Sequence, residues 1–138
     1  MIVLDTNVVS EPMKPNANPA VQNWLDRQAS ETLYLTAISL SELLVGIEIL
    51  PPSKRKKGLD IALRELLENL FGTRILPLTS AAVAYAPLVG RARAEGRPIS
   101  VADGQIATIA FVHGFTVATR DIAPFAAAGV PTINPWDA

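Results

Sequence analysis

The chain has 138 residues, of which 49% are hydrophobic and 18% are charged, and its formal net charge is −1. This balance is typical of one compact domain with a substantial core, and it disfavours a disordered chain or a globally basic nucleic-acid-binding protein. Cysteine is absent, which excludes disulfides, thiolate catalysis and zinc sites built from thiolates.

The N-terminal residues do not resemble a secretory signal, because no basic segment precedes an apolar run. The apolar runs along the chain are interrupted, for example by Pro51 and Pro52 and by Arg120 and Asp121, and are too short to span a bilayer. We therefore expect a single domain over residues 1–138, without membrane association and in a cytoplasmic setting.

Strand and helix patterns alternate along the first half of the chain. A short buried strand ends at Asp5, and Pro12 halts the helix that follows. Asn18 is placed to cap the next helix, with Pro19 at its first position. The predicted elements are a strand at 2–4, helices at 8–11 and 19–28, a strand at 33–37, and helices at 39–50 and 53–72.

The alternation continues in the second half. Pro77 lies inside a predicted strand at 74–78, which favours a position at the sheet edge. Thr79 or Ser80 is predicted to cap a helix that reaches about residue 95 and kinks at Pro87. The remaining elements are a helix at 100–113, a strand at 115–118, a short helix at 121–128 and a strand at 130–133. The pattern predicts a mostly parallel sheet of about five strands packed between helices.

Four carboxylates fall at equivalent places in this pattern. Asp5 and Asp121 each follow a strand, and Glu42 and Asp103 lie near the start of predicted helices. Each has an ordinary structural explanation, since carboxylates cap helices and are favoured at helix N-termini. Residues 39–42, for example, fit a capping box in which Glu42 would reach back to the chain.

The four positions together indicate a common site. In an open parallel sheet, ligands bind outside the carboxyl ends of the strands, where the strand order reverses. If strands one and four are central neighbours, Asp5 and Asp121 meet there, and Glu42 and Asp103 approach from flanking helices. Two carboxylates at 4 Å repel by about 4 kcal/mol at an effective dielectric near 20. A divalent cation relieves this, and an all-oxygen site suits Mg²⁺ or Mn²⁺.

Other chemistries lack necessary residues. His113 is the only histidine, and its place near a helix C-terminus does not favour a Ser-His-Asp triad. No phosphate-binding loop or dinucleotide-binding glycine motif is present. Metal-activated attack of water on a phosphodiester needs acidic ligands and a groove, which this sequence can supply.

With these residues in place, the chain resembles PIN-domain proteins, and more narrowly the VapC-type toxins of type II toxin–antitoxin systems, in the FitB-like subgroup. The resemblance spans essentially the whole chain. The matching motifs are residues 2–11, Ser41-Glu42-Leu43 with Gly46, residues 102–107, residues 117–121 and the tail Asn134-Pro135-Trp136.

The resemblance implies a three-layer α/β/α fold and a Mg²⁺-dependent endoribonuclease whose acidic quartet is Asp5, Glu42, Asp103 and Asp121. Asp5 and Asp103 would bind the metal most directly, and Asp121 would help, directly or through water. Glu42 would bind a second ion or orient the attacking water. One departure is that many relatives have Asn in place of Asp121 and another Asp a few residues later, which is absent here.

Further roles follow from the same resemblance and from charge. Thr6, Asn7 and Thr119 are expected to hydrogen-bond the carboxylates, and Arg120 is the best candidate for a phosphate contact. The resemblance implies a homodimer and an inhibitory partner antitoxin, with which the dimer would assemble further. The antitoxin would also bind promoter DNA. Other basic residues could also have a functional role, such as contact with an RNA backbone, but they are equally ordinary as solvated side chains. They are Lys54, Arg55, Lys56, Lys57, Arg91, Arg93 and Arg97.

Two alternatives remain open at this stage. One is an aspartate-based phosphotransfer or signalling domain. The sequence speaks against it, because Asn7 stands where the phosphatase motif needs a second acid, and no lysine follows Lys57 where receiver domains need a late one. The other is a non-catalytic binding module whose carboxylates only cap helices.

Overall fold

A computed structural model describes all 138 residues. The strands are β1 (Ile2–Leu4), β2 (Leu33–Thr36), β3 (Ile75–Leu76), β4 (Thr116–Ala118) and β5 (Thr132–Ile133). They form one sheet in the order β3-β2-β1-β4-β5, and every neighbouring pair is parallel. The prediction of a parallel sheet of about five strands is confirmed.

Seven α-helices connect and cover the strands. They are α1 (Thr6–Ser10), α2 (Pro19–Asp26), α3 (Ala37–Glu48), α4 (Lys54–Leu66), α5 (Ala82–Ala94), α6 (Val101–His113) and α7 (Ile122–Ala127). A π-helical segment, Leu67–Phe71, continues α4, and Gly72 then ends it with φ of +53°. None of these helices combines the length and the apolar character needed to cross a bilayer.

Two hydrophobic cores lie on opposite faces of the sheet. Successive residues of a strand point to opposite faces, so Val3 packs in one core and Leu4 in the other. The Val3 core includes Ile106 of α6 and Phe125 of α7. The Leu4 core includes residues of α1, α2, α3 and α4, among them Leu43. The fold is therefore the expected three-layer α/β/α arrangement.

The strand order reverses between β1 and β4 at the centre of the sheet. From β1 the chain adds β2 and β3 on one side, and it then returns to place β4 and β5 on the other side. The backbone N–H of Asp5 donates to the carbonyl oxygen of Ala118 at 2.9 Å, which continues the β1–β4 pairing. The prediction that strands one and four are central neighbours is confirmed, as is the edge position of β3.

The start of α3 differs from the predicted capping box. The helix begins at Ala37, and its N-cap is Thr36, whose side-chain oxygen accepts the N–H of Ser39 at 3.0 Å. The predicted cap at Ser39 is wrong because β2 and α3 join directly, so the last strand residue already has the extended backbone of an N-cap. Glu42 therefore lies in the second turn, and its carboxylate is not used to cap the helix.

The start of α5 also differs. Neither Thr79 nor Ser80 caps it, and the N–H of Ala82 instead bonds to the carbonyl oxygens of Leu78 and Thr79. The backbone turn before the helix satisfies this donor, so no side-chain cap is required. The helix continues through Pro87 as far as Ala94.

Helices α5 and α6 pack closely at Gly104, the residue after Asp103. A Cβ atom at Gly104 would lie 2.9 Å from Cγ2 of Val89 and 3.0 Å from the ring of Tyr85. These distances are shorter than ordinary van der Waals contacts. The absence of a side chain at Gly104 thus lets α6 approach α5 and sets the position from which Asp103 projects.

We predict that Gly104→Ala destabilises the protein by about 1–3 kcal/mol, because the added methyl forces the two helices apart. Thermal or urea unfolding measures this change. Gly58→Ala is the matched control, since Gly58 is also helical but has no atom within 4 Å of its would-be Cβ. That control should gain up to about 1 kcal/mol from helix propensity. An equal gain for Gly104→Ala would show that the α5–α6 contact is not tight.

Candidate active site

Asp5 is the most deeply buried carboxylate of the predicted quartet, with 5% of its surface exposed. One oxygen, Oδ1, accepts the N–H of Thr6 at 2.8 Å. The other, Oδ2, accepts the hydroxyl of Thr119 at 2.8 Å and the side-chain amide of Asn7 at 3.4 Å. The turn from β1 into α1 and the end of β4 therefore hold this carboxylate in one orientation.

Burial raises the pKa of Asp5 above its ordinary value, because the charged form loses its hydration. The hydrogen bonds from Thr119 and Thr6 oppose this effect, and the charges of Asp103 and Glu42 add to it. The interactions within the chain therefore leave the negative charge of Asp5 incompletely compensated, in the place where a cation would stabilise it.

Glu42 lies on α3 beside this turn and is solvent-exposed. Its Oε1 accepts the hydroxyl of Thr6 at 2.8 Å, so Thr6 contacts Asp5 through its backbone and Glu42 through its side chain. Oε2 of Glu42 accepts no hydrogen bond from the chain, and the residue also shares a cleft with Gln105 of α6. One oxygen is thus held in place and the other is open to solvent.

Asp103 and Asp121 line a second cleft, of about 420 Å³, which they share with Arg97. Asp103 is half-buried near the start of α6, and Asp121 is exposed at the start of α7. The carboxylate of Asp121 makes no capping hydrogen bond, but its backbone N–H donates to the Thr119 hydroxyl oxygen at 3.0 Å. Thr119 therefore connects the Asp121 loop to Asp5.

The four acidic residues share the switch-point edge of the sheet without forming a tight cluster. No group of three or more acidic or histidine side chains is close enough to make a ready-made metal site. Asp5 lies at the centre, and the clefts lined by Glu42 and by Asp103 with Asp121 open beside it. The charges that act on Asp5 are those of Asp103 and Glu42, whereas the link to Asp121 runs through Thr119.

The donor set fits a hard divalent cation. All the available ligands are carboxylate or hydroxyl oxygens, and neither cysteine nor histidine is present at this edge. Mg²⁺ commonly takes only one or two carboxylates directly and keeps several water molecules. The charges of Asp103 and Glu42 both act on Asp5, so these carboxylates could help to hold such an ion, directly or through water.

Basic side chains surround the acidic residues. Arg97 lines the cleft of Asp103 and Asp121, and Lys14 and Arg55 line the cleft of Thr6 and Glu42. The backbone N–H of Arg120 donates to Oδ1 of Asn7 at 3.3 Å. Lys14 was not predicted as a site residue from the sequence, because it lies in a turn-rich loop and comes near Glu42 only through folding.

Glu11 is the last residue of the motif at residues 2–11, and the sequence did not predict a role for it. It is 7% exposed, pairs with Lys14 at 2.9 Å and accepts the N–H of Asn18 at 3.1 Å. The hydrogen bond from Lys14 is the main reason that the pKa of Glu11 is lowered. Glu11 therefore ties the loop after α1 to the helix N-terminus at Asn18 and keeps Lys14 beside the site.

His113 lies at the far end of α6 from Asp103 and stacks on Phe115, with ring centroids 5.3 Å apart. Ten residues of helix correspond to about 15 Å. The only histidine is therefore remote from the acidic residues, in agreement with the exclusion of a Ser-His-Asp triad.

Comparison with known proteins agrees with this architecture. The PIN domain model matches residues 2–130. VapC ribonuclease Y4jK of Sinorhizobium fredii (strain NBRC 101917 / NGR234) is 48% identical over 139 residues, covering 99% of each chain. Toxin FitB of Neisseria gonorrhoeae (strain ATCC 700825 / FA 1090) is 44% identical over 137 residues, again covering 99% of each.

A solved structure, FitAB bound to an IR36 DNA fragment, superimposes with a TM-score of 0.94 at 43% identity, covering 99% of this chain and 96% of that chain. The similarity extends along the whole chain and includes the elements that carry the four carboxylates. The chain therefore belongs to the PIN-domain family, and within it to the VapC and FitB toxins of toxin–antitoxin systems.

Proposed function

We propose that the protein is a Mg²⁺-dependent endoribonuclease that cleaves RNA phosphodiester bonds and acts as a toxin. The observation that carries this proposal is the buried, oriented Asp5 carboxylate at the switch point, flanked by open clefts that contain the other three acids. The relative named VapC ribonuclease supports the choice of RNA as the substrate.

In this proposal Asp5 and Asp103 hold Mg²⁺, which Mn²⁺ could replace, and Asp121 contributes directly or through water. The bound ion would polarise a phosphate oxygen and make a coordinated water more acidic. Thr6, Asn7 and Thr119 keep Asp5 in its binding orientation through the hydrogen bonds described above.

Glu42 is proposed to act on the attacking water. Its Oε1 is held by Thr6, so Oε2 can accept a hydrogen bond and then a proton from a water molecule in the cleft. Binding of a second ion by Glu42 is the other role that the resemblance implies. The clefts with Arg97 on one side and Lys14 and Arg55 on the other offer cations to an RNA backbone.

The capping explanation accounts less well for the same residues. Glu42 and Asp121 make no capping hydrogen bond, although capping would be their purpose in a non-catalytic binding module. Asp5 itself does cap α1 through the N–H of Thr6, but capping does not account for the contacts of Thr119 and Asn7 with its other oxygen. For the phosphotransfer alternative, Asn7 stands where a second acid is required, and no lysine follows Lys57.

A cognate antitoxin is proposed to cover the site. The cleft beside Glu42, of about 280 Å³, has apolar walls that include Met13, Leu43 and Ile47. Leu44 and Val45 line a neighbouring cleft with Ile47 and are exposed. Ile49 after α3 and Ile61 on α4 are exposed as well. The solved FitAB structure, which is bound to an IR36 DNA fragment, supports an antitoxin that also binds DNA, and the family resemblance implies that this DNA is the promoter. A homodimer that assembles further with the antitoxin, acting on RNA in the cytoplasm, completes the proposal.

We predict that Asp5→Asn lowers RNA cleavage by more than about 100-fold, because it removes a charge needed to hold the cation. Sequencing of RNA ends after brief expression, together with cleavage of a fluorescent RNA in Mg²⁺ or chelator, measures this. Asp60→Asn is the matched control, since Asp60 pairs with Arg64 on the exposed face of α4. Equal cleavage by wild-type protein in Mg²⁺ and in chelator would contradict the proposal.

Thr119→Val tests the hydrogen bond that orients Asp5. The substitution keeps the shape of the side chain and removes the hydroxyl that donates to Asp5 at 2.8 Å. We expect a loss of about 10- to 100-fold in Mg²⁺ affinity or activity, measured by titrating cleavage with Mg²⁺. Thr116→Val, in the preceding strand β4, should have little effect. If both variants need the same Mg²⁺ concentration as wild type, Thr119 does not position the ligand.

The raised pKa of Asp5 predicts that the metal-free protein loses free energy of unfolding as the pH rises. The unfolded chain ionises Asp5 at a lower pH than the folded chain does, so this residue opposes folding increasingly as pH rises through the ordinary pKa towards the raised one. In chelator at pH 7, Asp5→Asn should therefore melt at a higher temperature than wild type, and the difference should shrink below the ordinary pKa. Added Mg²⁺ should stabilise wild type and not the variant.

A further inference from the structure

Arg120, in the loop after β4, and Trp136, in the C-terminal turn, form a cation–π pair. The guanidinium carbon of Arg120 lies 5.2 Å from the centre of the Trp136 ring, within the distance at which such pairs attract. Arg120 is exposed and Trp136 is half-buried. The ring therefore supports one face of the guanidinium, and the rest of the group is accessible to solvent.

The backbone of Arg120 is anchored at the site. Its N–H donates to Oδ1 of Asn7 at 3.3 Å, and the Asn7 side-chain amide donates to Oδ2 of Asp5 at 3.4 Å. Arg120 also lies between Thr119 and Asp121, whose atoms are hydrogen-bonded to each other. The backbone of Arg120 is thus linked to the Asp5 carboxylate through Asn7 by two hydrogen bonds.

Trp136 is itself held in place. Its backbone N–H donates to Oδ1 of Asn134 at 3.0 Å, and the Asn134 amide donates to Asp137 at 3.2 Å. The ring packs against the hydrophobic core that contains Leu4 and Trp24. An aromatic group fixed by the core and by a capped turn is a rigid support for a flexible arginine.

The guanidinium of Arg120 keeps all its donors free. It makes no hydrogen bond and no ion pair within the chain, and it lies against the ring of Trp136. Glu11 is near enough for the charge of Arg120 to help lower its pKa, but the Glu11 oxygens already bind Lys14 and the Asn18 amide. A guanidinium held on one face with its edge unpaired is suited to bind a phosphate.

We propose that Trp136 is a positioning residue, which holds the Arg120 guanidinium beside the Asp5 edge of the sheet so that it binds a phosphate of the RNA substrate. This inference rests on the proposed ribonuclease function, and it adds the C-terminal turn to the substrate-binding surface. The opposing view is that the pair only attaches the C-terminal turn to the loop after β4.

The test compares steady-state Mg²⁺-dependent cleavage of one fluorescent RNA by wild type, Arg120→Ala, Trp136→Leu, Trp136→Phe and the double variant Arg120→Ala/Trp136→Leu. We expect Trp136→Leu to raise KM by about two- to fivefold, the range of an exposed cation–π contact, with kcat little changed. Trp136→Phe should rescue part of the effect. In the Arg120→Ala background, Trp136→Leu should cause no further rise in KM, because the two residues act together.

RNA binding gives a second readout. In an Asp5→Asn background, which prevents cleavage, the salt dependence of Kd for the same RNA reports the phosphate contacts. Arg120→Ala should reduce the slope of log Kd against log salt by about 0.7, which corresponds to one phosphate of a single strand. Arg64→Ala, at an exposed arginine paired with Asp60 on α4, is the matched control and should leave the slope unchanged.

Melting temperatures distinguish a positioning role of Trp136 from a purely structural one. Phe71→Leu is the control, because Phe71 is a fully buried aromatic residue of the same core. It should lower the melting temperature without changing KM. If Trp136→Leu behaves like Phe71→Leu, or raises KM equally with and without Arg120, the inference is wrong. If Trp136→Leu does not fold, Trp136→Phe in the two backgrounds provides the same comparison. Failure of wild type to cleave any RNA would instead overturn the proposed function itself.

Discussion

The burial of the Asp5 carboxylate between the two central strands is the constraint on which the site depends. A charged group with 5% exposure is unfavourable unless donors or a cation compensate it. The chain supplies donors from Thr6, Asn7 and Thr119, yet the pKa of Asp5 remains raised. The fold thus maintains an anionic centre that its own hydrogen bonds do not fully stabilise, which is the property expected of a cation-binding site.

The rest of the architecture arranges groups around that centre. The switch between β1 and β4 opens a crevice at the carboxyl ends of the strands. The close packing of α6 on α5 at Gly104 sets the position of Asp103, and the hydroxyl of Thr6 holds Glu42. The acids are spaced rather than clustered, so at the proposed Mg²⁺ site water and substrate phosphates would supply the remaining ligands.

Local charge has more importance here than net charge. The chain carries a net charge of only −1, but the clefts next to the acids contain Lys14, Arg55 and Arg97. Arg120 adds a fourth cation, supported by Trp136. The proposed RNA substrate would therefore meet cations in both clefts, an arrangement that composition could not indicate because it depends on residues far apart in sequence.

The alternation of strands and helices and the four carboxylates after or near strand ends could be predicted from the sequence, because periodicity and local residue chemistry determine them. Details that depend on contacts distant in sequence could not. Thr36 replaced Ser39 as a cap, and Lys14 and Trp136 approached the site only through folding. By itself the sequence determined the parallel α/β class, and it marked four acids as candidates for one site. The tertiary structure decided their spacing, their burial and their cationic neighbours, because these depend on how separate elements pack.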